Sequence, residues 1–372
     1  MNFPSFINRP VYYVLCWFLL SACASVKSNE AETGSLPATS LFPYGRTSIT
    51  DNSLELISSA SHFAFSFEGS ECQIFASLSD WQDHNYLQYE MDGHGVYQRR
   101  LRINKGEPQP TIISAQSSGK HTIVIYKATE AHTGPIFIQK ISGKNVKAIK
   151  PSSSPLIEFI GNSITCGAAA DPSEVPCGQG EYHDQHNAYN AYGPRVARAL
   201  GVNFVLGSVS GIGIYRNWNS DGPTMPQVYE KTDFQAESNR LWNFQTYQPK
   251  VVSIALGTND FSNGDGKKAR DRFDSANFVS NYIRFVQQVK AKYPAAQIAL
   301  LSSPMMNGGS RTLLQNCLTA VKQNIDVLFP EAEPVAIHFF KPMQARGCTG
   351  HPNVEDHAII AEELVPFYKR LM

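Results

Sequence analysis

The chain has 372 residues, with 32 basic and 32 acidic side chains and hydrophobic residues at 42%. That length points to two domains and the apolar fraction supports a packed core. A formal net charge of zero gives no attraction for nucleic acid or another polyanion.

Residues 1–22 read as a signal peptide of the lipoprotein type. Arg9 gives the positive start and Val11 to Leu20 an apolar stretch too short to span a bilayer. The stretch ends in Leu20-Ser21-Ala22-Cys23, which resembles a bacterial lipobox. The resemblance implies a lipid on Cys23 and, because residue 24 is Ala and not Asp, an outer-membrane lipoprotein of the bacterial cell envelope. Ordinary cleavage near Ala22 or Ala24 and free secretion is the alternative. Residues 23–42, rich in small and polar types, are expected to form a flexible tether.

From 43 to 148 the pattern is β. Apolar and polar residues alternate over Phe63–Phe67, Gln73–Leu78, Tyr86–Met91, Arg99–Ile103 and Thr122–Tyr126. Turn residues separate them at Asp92-Gly93-His94-Gly95, Gly106 and Gly119-Lys120, so an all-β sandwich is expected. The linker Lys150-Pro151-Ser152-Ser153-Ser154-Pro155 marks the boundary with a second domain, 149–372. There, apolar runs at 156–160, 202–207, 251–256, 297–302 and 335–340 alternate with helical stretches. Asn187 to Leu200 is one stretch. Phe278, Tyr282, Phe285, Val286 and Val289 mark a second, Leu314, Cys317, Leu318, Val321 and Ile325 a third, and Asn353 to Leu371 the last. Five strands alternating with helices predict an α/β fold, a doubly wound five-stranded parallel sheet of flavodoxin-like type. Ligands of such sheets sit at the carboxyl ends of the strands.

Beyond Cys23 the cysteines are Cys72, Cys166, Cys177, Cys317 and Cys348. An odd number leaves at least one thiol unpaired. Cys166 with Cys177 would close a short loop, and Cys317 with Cys348 is a second candidate pair. No metal-site spacing is present, and no metal or cofactor is expected.

Four short motifs fall at the strand ends. Gly161-Asn162-Ser163 follows the first, Ser208-Val-Ser210-Gly211 the second and Gly257-Thr-Asn259-Asp260 the third, while His351-Pro-Asn353 precedes the last helix. Each alone has a plainer explanation, as a helix cap, a turn that needs positive φ or an Asx hydrogen bond. A serine becomes a nucleophile only with a base beside it and donors for the oxyanion, and the set supplies both. This is not the G-x-S-x-G elbow of ordinary α/β-hydrolases.

In this order the motifs resemble the SGNH hydrolase superfamily. The resemblance implies that Ser163 is the nucleophile, that Gly211 donates a backbone N–H and Asn259 an amide N–H to the oxyanion, and that His351 is the base. Lys127-Ala-Thr-Glu130-Ala-His-Thr-Gly134, Cys166 directly after Ser-Ile-Thr, and Asp260-Phe-Ser look like carbohydrate esterase family 2, which joins an N-terminal jelly-roll domain to an SGNH domain. That family implies acetylated polysaccharide or oligosaccharide substrates, with a preference for acetyl on a primary hydroxyl. Tyr215, Trp218 and Trp242 are candidate sugar platforms. The β domain is expected either to contribute cleft walls or to be a structural rider.

One position departs from the pattern. Many SGNH enzymes carry an aspartate shortly before the histidine, where this chain has Cys348 and Thr349. Replacing that aspartate in the serine-protease template costs about 10⁴ in rate. A Ser-His dyad with a backbone carbonyl accepting the second histidine N–H is expected, the competing expectation being a carboxylate from Glu355, Asp356 or Asp260. The functional alternatives are a catalytically weak carbohydrate-binding protein, or an esterase of peptidoglycan O-acetyl or lipid acyl groups.

Overall fold

The computed structural model describes residues 1–2, 33–50 and 52–372. Cys23, most of the expected signal peptide and residues 24–32 of the expected tether lie outside the described residues.

The β pattern folds as an all-antiparallel sheet of β1 (Thr33–Pro37), β2 (Thr47–Ile49), β3 (Leu54–Leu56), β4 (His62–Leu78), β5 (His84–Met91), β6 (Tyr97–Asn104), β7 (Gln109–Ser114), β8 (Lys120–Lys127) and β9 (Ile136–Ile149). The runs at 63–67 and 73–78 are two halves of one strand, β4, whose pairing with β9 shifts register around Glu68 and Cys72. Such irregularities bend a strand, and residues from both halves, Phe63, Phe65, Ile74 and Leu78, enter one core with Leu87, Ile113, Ile125 and Ile138. Residues 33–37 of the expected tether are a strand instead: β1 pairs with β9 from Thr33 opposite Lys144 to Pro37 opposite Lys140.

The α/β pattern gives the parallel strands β10 (Leu156–Gly161), β11 (Asn203–Ser208), β12 (Val251–Ala255), β13 (Gln297–Leu301) and β14 (Ala336–His338), in the order β11-β10-β12-β13-β14. Around them lie α1 (Ser163–Cys166), α2 (Tyr192–Leu200), α3 (Met225–Val228), α4 (Thr258–Phe261), α5 (Ser275–Lys292), α6 (Gly308–Leu328) and α7 (Val354–Lys369). Alternate residues of the buried strands point to opposite faces. Ile160, Ile254 and Leu300 pack with α5 and α6, while Phe159, Leu206 and Leu301 pack with α2 and α7. The helix expected from Asn187 starts only at Tyr192, because the Asn187 side chain accepts the Asn190 N–H and closes a separate 3-10 turn.

The linker at 150–155 marks a change of architecture inside one compact unit, Thr33–Met372. Every residue of β5 is buried. Leu87, Tyr89 and Met91 face the β core, and the alternate residues meet the α/β half. Tyr86 donates to Asp184 at 2.7 Å, and Glu90 accepts from Tyr189 at 2.8 Å. Arg46 is buried between the halves, 4.0 Å from Glu158 and stacked over Phe234.

Candidate active site

Ser163 opens α1 directly beyond β10. Asn162 caps the turn by accepting the Ile164 N–H at 3.1 Å. Only glycine fits at 161, where a Cβ would lie 2.0 Å from Thr165 Oγ1. The Gly-Asn-Ser order is therefore steric as well as chemical. It brings the Ser163 hydroxyl into a cleft of about 460 Å³ lined by Tyr182, Ser210, Gly211, Trp218, Asn259, Thr349 and His351.

His351 Nε2 is 2.9 Å from Ser163 Oγ, the separation a base needs to take the hydroxyl proton. Gly211 reaches the cleft from the loop after β11, with a φ of 75° that favours glycine. Asn259 stands in α4 after β12, and its Nδ2 donates to Ile212 O at 2.8 Å, which aims the amide and leaves its second N–H free. Among the described residues, nothing accepts the Ser163 or Gly211 N–H. The structure thus brings together all four residues that the motifs singled out.

The second nitrogen of His351 is held in a way the sequence did not suggest. Nδ1 lies 3.2 Å from Thr349 Oγ1, and that hydroxyl donates to Cys348 O at 2.8 Å, so its lone pair is left to accept the imidazole N–H. Thr349 adopts φ 51°, an uncommon conformation for a β-branched residue. Among the described residues no carboxylate hydrogen-bonds His351. Asp260 is buried and accepts the Ile214, Tyr215 and Arg216 N–H groups. Its burial pushes the carboxyl up to about 6, against those bonds. Asp356 accepts from the Arg346 and Asn353 backbones and the Arg346 side chain, so it clasps the two ends of the histidine loop. Glu355 is exposed. Burial and the nearby His186 lower the His351 pKa below the ordinary histidine value, while the carbonyls of Cys348 and Thr349 and the Glu130 charge pull it upward.

The disulfide is Cys177–Cys348, a pairing that corrects both expected ones. It ties the loop after Ser163 to the loop that carries His351. Cys166 instead points inward, with Sγ 3.2 Å from Ser208 Oγ, and Cys317 faces the core side of α6; both are free and buried, as is Cys72.

Of the three candidate sugar platforms only Trp218 lines the cleft, 45% exposed. Tyr215 packs against Phe273 and Phe278, and its hydroxyl accepts the Asp274 N–H. Trp242 packs beside the buried Arg46 and Tyr247. Their apolar neighbours explain both corrections: these rings close loops over the core. Tyr182, which sequence reasoning missed, is the other aromatic of the cleft, 44% exposed. It lies in a long aperiodic stretch between Cys166 and α2, where spacing carries no signal. An adjoining hollow of about 430 Å³ shares Ser210, Gly211 and Trp218 and is walled by His132 of the β half. The β half therefore contributes to the cleft surroundings. Away from the cleft, ligand-type atoms of His84, His183 and Asp184 lie within 4.8 Å of one another. His84 Nε2 meets Asp184 Oδ1 at 2.5 Å, and Tyr86 shares that oxygen, so the group forms a hydrogen-bonded seam between the halves.

Residues 44–152 match the Carbohydrate esterase 2 N-terminal family model, and residues 159–347 match that of the GDSL-like Lipase/Acylhydrolase family. The cellulase/esterase CelE of Acetivibrio thermocellus is 29% identical over 320 residues, which are 82% of this chain but only 36% of that protein. An acetylxylan esterase/glucomannan deacetylase of Cellvibrio japonicus is 24% identical over 98% of both chains. The solved structure of a family two carbohydrate esterase from Clostridium thermocellum in complex with cellohexaose superposes with a TM-score of 0.75 at 26% identity. It covers 91% of this chain and 98% of that one.

Proposed function

The chain belongs to the GDSL-like lipase/acylhydrolase family and carries the carbohydrate esterase 2 N-terminal domain ahead of it, and on that premise we propose that it is a serine esterase. Its proposed reaction removes O-acetyl groups from plant cell-wall polysaccharides or oligosaccharides of the acetyl xylan and glucomannan type. The observation that carries this reading is the 2.9 Å approach of His351 Nε2 to Ser163 Oγ inside a cleft with unused oxyanion donors.

The mechanism follows from the geometry. His351 takes the Ser163 proton as the hydroxyl oxygen attacks the acetyl carbonyl. The oxyanion is held by the Ser163 and Gly211 N–H groups and the free Asn259 amide N–H. Protonated His351 then gives its proton to the leaving sugar oxygen. Water, deprotonated in turn by His351, hydrolyses the acetyl-serine and releases acetate. The imidazolium is supported at Nδ1 by the Thr349 hydroxyl and not by an aspartate, so the pair works as a Ser-His dyad. Trp218 and Tyr182 offer flat apolar surface for a sugar ring on either part of the cleft lining.

The test is acetate release from acetylated xylan and glucomannan, compared with esters of longer acyl chains. Acetate release by the wild type and none by Ser163→Ala is the expected result. Turnover by Ser163→Ala near the wild-type rate, or a preference for long acyl chains, would reject the reading. Lipidation at Cys23 and retention at the outer membrane are proposed on the Leu20-Ser21-Ala22-Cys23 sequence. Incorporation of labelled fatty acid that is lost in Cys23→Ala tests it, and an unlabelled, freely released protein would reject it.

A further inference from the structure

Glu130 lies in the segment between β8 and β9, yet its carboxylate ends beneath the oxyanion loop of the other half. It is 3% exposed. Oε2 accepts the Ser210 N–H at 2.6 Å, one residue before Gly211, and lies 3.6 Å from the Cys166 thiol. Oε1 lies 3.4 Å from His186 Nε2. His186 is fully buried, and its Nδ1 accepts the Ala169 N–H at 3.5 Å, which leaves the proton on Nε2, facing Glu130. From there the connections divide. The Tyr182 ring of the cleft packs edge-on against His186 with centroids 4.7 Å apart, and Ala169 O accepts the Cys348 N–H of the histidine loop at 3.0 Å.

An unpaired buried carboxylate costs several kcal/mol, so such a group persists where its bonds are made. Burial pushes the Glu130 carboxyl upward, but the bonds from His186 and Ser210 hold it down to about 2, which favours the carboxylate. The other titratable groups around it are Lys127, which donates to the Glu130 carbonyl and which burial brings down to about 7, the Cys166 thiol and the Tyr182 phenol, both raised by burial.

We propose that Glu130 is a positioning residue of the esterase centre, by which the β half fixes the Val209–Ser210 peptide that leads into the Gly211 donor of the oxyanion site and, through His186, seats Tyr182 and the base of the His351 loop. The inference rests on the assignment of Ser163, Gly211 and His351 given above. Gly211 N–H has to point at the developing oxyanion before it forms, since preorganised donors stabilise charge without reorganisation. Glu130 anchors the preceding peptide, Val209–Ser210, and so restricts how the Ser210–Gly211 peptide that carries the donor can turn. Its charge also pulls the His351 pKa upward, which favours the imidazolium that forms in the transition state, in a chain without an aspartate at 348 or 349.

The experiment compares Glu130→Gln and Glu130→Asp with wild type for kcat, KM and the pH profile of kcat/KM on a soluble acetyl ester, with Ser163→Ala as the reference for lost chemistry. For Glu130→Gln the expected result is a kcat lower by about 10- to 100-fold, short of the 10²–10³ typical of a deleted donor, with KM changed less than threefold. Removing the negative charge disfavours protonated His351, so the acid limb of kcat/KM moves to lower pH. Glu130→Asp, which keeps the charge, keeps the wild-type acid limb. A folded Glu130→Gln with wild-type kcat and an unmoved acid limb overturns the proposal, even if its Tm falls, because a purely structural clamp changes Tm alone. Where Glu130→Gln does not fold at growth temperature, His186→Asn is measured, with a lowered kcat expected and an unchanged kcat overturning the proposal. Retained activity of Ser163→Ala in the same assay rejects the assignment of the nucleophile instead, so the two failures are told apart.

Discussion

Ser163 stands directly beyond β10, a strand hydrogen-bonded on both sides, to β11 and β12. Its proposed oxyanion partners, Gly211 and Asn259, stand just beyond the ends of those same two neighbours. His351 stands in an irregular loop, between a 3-10 turn at Cys348–Gly350 and α7. That loop is closed by hydrogen bonds from Gly347 N–H to His351 O and from Cys348 N–H to Ala169 O, by the Asp356 clasp and by Cys177–Cys348. The serine side inherits its precision from the sheet, whereas the histidine side has it built from cross-links. The difference teaches that parts of one site can depend on different structural supports and so fail separately.

The largest effect expected is at the reacting pair. Ser163→Ala and His351→Ala should each lower kcat for acetate release by about 10⁴-fold or more, and the double variant should be little worse than either. A His351→Ala enzyme retaining a tenth of its activity would separate the two sides altogether. Asn259→Ala, on the serine side, should reduce kcat by about 10²–10³ with KM nearly unchanged, read by steady-state kinetics. On the histidine side, Cys177→Ala with Cys348→Ala should lower stability by about 2–4 kcal/mol in denaturant titrations. Activity should fall at temperatures where circular dichroism still reports an intact sheet, and loss of both together would erase the contrast.

Smaller effects belong to Thr349. Thr349→Val removes the acceptor at His351 Nδ1 and should cost about tenfold in kcat, near the strength of one hydrogen bond. Thr349→Asp puts a carboxylate beside the imidazole and should raise the acid limb of kcat/KM. In the wild type that limb should lie below about 6.5, the ordinary histidine value, because burial lowers the His351 pKa and activity requires the neutral ring. A pH–rate profile checks both, and a wild-type limb above neutrality would show that a carboxylate reaches the ring after all.

What the sequence revealed follows the same division. Apolar runs locate the strands because burial on both faces demands them, and the motifs at their ends mark Ser163, Gly211 and Asn259 by position alone. His351 was legible from its place before α7, but its support was not, since loop contacts have no period. The disulfide was misread because proximity in sequence favoured Cys166 with Cys177, whereas Cys166 faces the interior and Cys177 lies 171 residues from its partner. Trp242 and Tyr215 were chosen as loop aromatics, and nothing in their spacing tells a ring that faces a sugar from one that covers Phe278 or Arg46. The antiparallel half was legible as strands but not as the single strand β4, because the alternation is interrupted between Phe67 and Gln73, where the pairing with β9 shifts register.

β5, buried on both faces, has a consequence for how such proteins recombine. The Pro- and Ser-rich stretch at 150–155 looks like a place where a gene could be cut and its pieces exchanged with other modules. A catalytic fragment begun there would lose the partners of Asp184 and Tyr189, the Arg46 plug over Phe234 and the carboxylate under Ser210. The unit that keeps those contacts is therefore the span from β1 to α7, and the apparent joint is a change of architecture within one compact unit.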